Sequence, residues 1–91
     1  LNNPSKIEIC INGFYGICDI KQDNYLYEEF INTIEKVNLA LIKDNITLAT
    51  KLHSIYKQKI SLQEKCHNLL IDFSKKTGKL SIRAKQILEK I

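Results

Sequence analysis

Seven apolar residues, Leu48, Leu52, Ile55, Leu62, Cys66, Leu69 and Phe73, follow one another at alternating intervals of four and three, broken only where Lys59 takes the expected apolar place. That spacing lines one face of a helix and no face of a strand. It predicts a continuous helix over about 46–75, roughly 45 Å long at about 1.5 Å per residue. A break at Ser61 is the alternative, because "SLQE" puts Glu64 three residues after a serine, the pattern of a capping box. Upstream, Leu26, Phe30, Ile34, Val37 and Leu41 form a second stripe, which predicts a helix over 24–43 with Glu28 and Glu29 near its positive end.

Few residues interrupt these patterns. "KDNIT" separates the two stripes, and its Asp44 and Asn45 are residues that cap helices well. "KKTGKLS" ends the second stripe, with Gly78 as the C-terminal cap, and Ser81 then caps a short helix over about 82–90 carrying Ala84, Ile87 and Leu88.

The opening segment "ICINGFYGIC" admits two structures. As a β-hairpin it would turn on Asn12-Gly13, the preferred two-residue turn, with Ile7, Ile9 and Ile11 entering it. As a helix over about 4–20, Asn3 caps, Pro4 takes the first helical position, and Ile7, Ile11, Phe14 and Cys18 share one stripe. The Asn3-Pro4 start signal favours the helix. The sequence therefore reads as all-α, a small helical bundle over 1–91 as one domain, built on an antiparallel helix pair of 24–43 and 46–75.

Composition limits function more than it assigns it. A hydrophobic fraction of 44% with 26% charged residues suits a folded chain, and no apolar run approaches the roughly 20 residues that span a bilayer. With no methionine, the chain is expected to be an excised domain or a processed form, so a secreted mature chain stays open beside an intracellular, cytoplasmic one. Three cysteines, an odd number, favour reduced thiols. A Cys10–Cys18 disulfide is disfavoured either way, since a helix would hold them about 12 Å apart and a hairpin would put them on opposite faces. The abundance of Ile, Lys and Asn fits a genome rich in A and T.

Catalytic and metal motifs are not evident. Cys10, Cys18, Cys66, His53 and His67 lack the close cysteine pairs of zinc sites, and Cys66 and His67 point about 100° apart on a helix. "TGKLS" has no upstream glycine of a P-loop, and Glu28, Glu29 and Glu35 lack the Glu-x-x-His of a di-iron bundle. No enzyme activity, metal or cofactor is expected.

"SIRAK" together with "KDNITLATKLHSIY" resembles, over scattered residues, the helix repeats of MIT-type trafficking domains. That resemblance implies binding of short helical tails of partner proteins. The spacing departs between Asp44 and Ala49, the first twenty residues have no counterpart, and no residue role is carried over.

A helix of some thirty residues outreaches partners of about twenty and ten, so part of its apolar stripe would stay uncovered. The function expected is a non-catalytic protein-interaction module of adaptor, chaperone-like or effector type, taking a helical segment or a second copy of itself in coiled-coil fashion. Its expected partner-binding residues are Tyr25, Tyr27, Ile55, Tyr56 and Leu62. The alternative is a basic nucleic-acid-binding helical domain, suggested by the net charge of +4 and by Lys75, Lys76, Lys79 and Arg83. Thirteen lysines against one arginine weaken it, because arginine is the usual phosphate reader.

Overall fold

The computed structural model describes residues 3–91. Among them are five helices and no strand: α1 (Pro4–Lys21), α2 (Asn24–Lys36), α3 (Ile46–Gln58), α4 (Gln63–Ser74) and α5 (Lys79–Leu88). The all-α small bundle is formed, and the hairpin alternative for the opening segment is not. Two compact units divide the chain, one running to Ile42 and the other spanning Lys43–Ile91.

The first unit is an antiparallel pair of α1 and α2. Asn3 caps α1, its Oδ1 accepting the Ser5 amide at 2.8 Å, with Pro4 in the first turn. Ile11 and Cys18 are buried on the expected stripe, and Ile7 and Phe14 are half-buried. The chain reverses at Gln22 and Asp23. Gln22 adopts a left-handed conformation, φ 52°, and its amide donates to the Cys18 carbonyl at 2.7 Å. Asp23 caps α2 through the Tyr25 amide at 2.8 Å. Aromatic edges join the helices: Phe14 meets Phe30 at 5.5 Å between ring centres, and Tyr15 meets Phe30 at 5.6 Å and Tyr27 at 6.4 Å.

The second unit packs α3, α4 and α5 against one another. Asn45 caps α3 by accepting the Leu48 amide. Leu48, Leu52 and Ile55 of α3 are buried, as are Cys66, Leu69, Leu70 and Phe73 of α4 and Leu80, Ala84 and Ile87 of α5.

Neither long helix of the expected spine exists. Helix 24–43 stops at Lys36, and Val37 turns to an extended conformation. Asn38 then caps a 3₁₀ turn over Leu39–Leu41 by accepting the Ala40 amide, a local bond that competes with helix continuation. Helix 46–75 divides at extended Lys59, which is followed by a 3₁₀ turn over Ile60–Leu62. Lys59 is the one polar interruption of the apolar stripe, and breaking there lets both halves of the stripe bury each other, which contributes more than continuity does. The break comes at the "SLQE" alternative, although the N-cap of α4 is Leu62 rather than Ser61.

The last helix begins earlier than expected. Gly78 is the N-cap of α5 rather than the end of α4. Ser81 lies inside the first turn, buried, its hydroxyl shared between the Lys76 carbonyl at 2.8 Å and the Ser74 carbonyl at 3.2 Å.

Candidate functional site

Helix α1 is apolar on two sides. One side is the core stripe. On the other, Ile9, Ile17 and Ile20 are 69%, 53% and 82% exposed. At 100° per residue they share a face with Gly13 and Gly16. A Cβ added at either glycine would meet nothing within 4 Å, so the fold of this chain does not require glycine there. The cost is nonetheless about 1 kcal/mol of helix propensity each. Lys6 and Lys21 lie toward one edge of the face, and Glu8 and Asp19 toward the other; all four are exposed.

Beside Cys10, an apolar groove of about 180 Å³ opens between α1 and α2, lined by Ile7, Ile11, Phe14, Phe30, Ile34 and Val37 among others.

The expected partner-binding residues fall differently. Tyr27, Ile55 and Leu62 are buried, so they belong to the core and offer no docking surface. Tyr27 donates to Asp19 Oδ1 at 2.6 Å and accepts from Gln22 Nε2 at 3.1 Å. Its stripe position explains the difference: α2 buries Tyr27, Phe30, Ile31 and Ile34, one residue around from the stripe read from Leu26. Tyr25 is exposed and Tyr56 half-buried. The face on α1 was missed because its isoleucines are interleaved with the core stripe, and only two periodic faces read on one helix reveal it.

The four expected nucleic-acid residues do not form one cluster by helix position. Lys75 and Lys76 are exposed in the turn after α4, whereas Lys79 and Arg83 lie one helical turn apart on α5. The Arg83 guanidinium donates to Gln86 Oε1 at 3.1 Å.

All three thiols are free. Among the described residues, no three His, Cys, Asp or Glu side chains come together as metal ligands. Burial pushes the Cys66 thiol up to about 12, and burial, helped by Asp19, raises Cys18. Cys10 is exposed. Iodoacetamide at pH 8 is therefore expected to modify Cys10 alone in the folded protein, and all three after denaturation. Peptide mapping that finds native Cys66 modified at a rate near that of Cys10 would contradict its placement.

No helix among the described residues is long and apolar enough to cross a membrane. No family model, curated protein or solved structure matches this chain, so the resemblance to MIT-type domains gains no support.

Proposed function

We propose that this chain is a non-catalytic protein-interaction module that docks through the outer face of α1, and that the occupant of that face is a second copy of the same helix. The observation that carries the reading is the row of exposed isoleucines, Ile9, Ile17 and Ile20, on a helix whose other side is already committed to its core. Buried, protonated thiols at Cys18 and Cys66 are poor nucleophiles, in keeping with a binding role. Free thiols suit a reducing, intracellular compartment.

Charge selects the occupant and its direction. A two-fold axis parallel to the helices brings the basic edge of one copy, Lys6 and Lys21, against the acidic edge of the other, Glu8 and Asp19. Each opposed pair differs by two positions, about 3 Å along the axis. An antiparallel pair would set lysine against lysine and carboxylate against carboxylate, which is repulsive. Gly13 and Gly16 at the centre of the face let two backbones approach closely.

From Lys6 to Lys21 the face is about 22 Å long and about 10 Å wide, well below the roughly 800 Å² per partner of a standard interface. A dissociation constant on the order of 10–100 μM is expected. Sedimentation equilibrium should show a monomer–dimer equilibrium in that range, abolished by Ile17→Glu with Ile20→Glu at unchanged helicity. Gly13→Ala should raise monomer stability by up to about 1 kcal/mol while weakening the dimer. On a Cys10→Ser background, Ile20→Cys should crosslink to itself under mild oxidation. A chain that stays monomeric at 1 mM would refute self-docking, and crosslinking only between Ile9→Cys and Ile20→Cys copies would refute the parallel arrangement.

A further inference from the structure

The charge of this chain is divided between its units. The residues up to Ile42 carry three lysines against six acidic residues, a net of −3, whereas Lys43–Ile91 carries eleven Lys and Arg against four acidic residues, a net of +7. A +7 charge on 49 residues is a footprint that a polyanion partner requires, hidden in the whole-chain value of +4.

Helices α3 and α5 concentrate that charge. Their N-termini lie side by side: the Leu80 amide donates to the Lys43 carbonyl at 2.8 Å, and the Lys79 amide to Asp44 Oδ1 at 3.1 Å. From there the two sequences repeat one spacing. Ile46, Thr50, His53 and Lys57 fall within about 60° of arc on α3, and Lys79, Arg83, Gln86 and Lys90 do the same on α5 and its continuation. Past α5 the chain stays wound for one more turn, with the Glu89 amide donating to the Lys85 carbonyl at 3.1 Å and the Lys90 amide making a tighter, 3₁₀-type bond to the Ile87 carbonyl at 2.9 Å.

A shallow groove lined by Ile46, Lys79, Ile82, Arg83 and Gln86 joins the two rows at their N-terminal end. Farther along, His53 is held below its ordinary value, first by burial and then by the positive charge of Lys57, Arg83 and Lys90, which therefore lie within electrostatic reach of it. Asp44 occupies the N-terminal end, already engaged with Lys79 and Lys43, and α3 contains no acidic residue. Glu89 is exposed and adjoins Lys90 in sequence.

We infer that the α3–α5 face of the second unit binds the sugar-phosphate backbone of a nucleic acid, through Lys57, Arg83 and Lys90 with Lys79 at one end. This is independent of the α1 face. Lysine-dominated contacts supply point charges without a bidentate fork, which suits binding without sequence preference. The strip, about 16 Å long, matches a run of several phosphates rather than one anion. Its exposed apolar surface is limited to Ile46 and Ile82, too little for the apolar face of a membrane-surface helix.

The test is fluorescence anisotropy of the full chain with a labelled 30-base-pair duplex of arbitrary sequence, competed by polyglutamate and by phosphatidylserine vesicles. Neutralising about four phosphates predicts a log–log salt slope of about −3 to −4, a loss of roughly 100-fold between 50 and 200 mM salt. The triple variant Lys57→Gln, Arg83→Gln, Lys90→Gln should lose at least 10-fold in affinity with helicity unchanged. Lys75→Gln with Lys76→Gln should lose less than 3-fold. No binding at 50 mM salt overturns the inference, as does displacement by polyglutamate or vesicles at equal charge. A larger loss from the Lys75 and Lys76 pair than from the triple variant overturns it as well.

Discussion

Gly78→Ala is expected to destabilise the second unit by about 3–5 kcal/mol, from two separate costs. Gly78 has φ 104° and ψ 175°, a region essentially closed to residues with a side chain and worth about 1–3 kcal/mol in strain. An added Cβ would also lie 2.5 Å from the Lys43 carbonyl oxygen and 3.1 Å from that residue's carbonyl carbon. The clash is with backbone, and that carbonyl is already the acceptor for the Leu80 amide. Relief requires moving either the start of α5 or the segment before α3. Urea denaturation should show a lower midpoint at unchanged slope. A Gly78→Ala protein within 0.5 kcal/mol of wild type would contradict this close approach.

The same turn shows what sequence patterns can and cannot convey. A glycine after two lysines at the end of an apolar stripe reads as a helix terminus, and a terminus is there. Which helix it terminates depends on Lys43, thirty-five residues upstream, and local spacing carries no record of that contact. The α1 start was legible because Asn3 and Pro4 act through adjacent atoms. Lys59 was legible as an interruption, but whether a helix tolerates one depends on what the freed halves can bury. In this unit α3 and α4 bury each other and share α5 as a third partner, so the interruption becomes a break.

The candidate sites follow that division. Residue type and spacing mark Tyr25, Tyr27 and Ile55 as apolar or aromatic positions on helices, which they are, whereas Leu62 ends a 3₁₀ turn beyond the break at Lys59. Whether such a position faces a core or a partner is decided by helix rotation, and a rotation of one residue in α2 moves Tyr27 from surface to interior. The α3–α5 strip is only partly legible in the sequence, which marks Lys79 and Arg83 and not Lys57 or Lys90. Its cations come from two segments thirty-three residues apart, so a scan for local charge runs finds Lys75 and Lys76 first.

Replacing Tyr27 with alanine should accordingly cost about 3–5 kcal/mol, the ordinary loss for a large aromatic removed from a packed site. Tyr27 is only 1% exposed, and its ring meets Tyr15 across the α1–α2 pair. On a total stability of about 5–15 kcal/mol, this is enough to unfold much of the first unit, so helicity and α1 docking should fall together. Tyr27→Phe should cost only about 1 kcal/mol, because Asp19 is exposed and can turn to water once the hydroxyl is gone. The two variants also separate in alkali. Burial, and then the Asp19 carboxylate, keep the Tyr27 hydroxyl protonated well above its ordinary value of 10.0, whereas in the unfolded chain it ionises near that value. Above about pH 10 the unfolded state thus binds fewer protons, and wild-type stability falls as pH rises. Tyr27→Phe should lack that part of the decline. If Tyr27→Ala kept full stability and lost only self-association, Tyr27 would be a surface anchor, and the packing of α2 on α1 would need a different core.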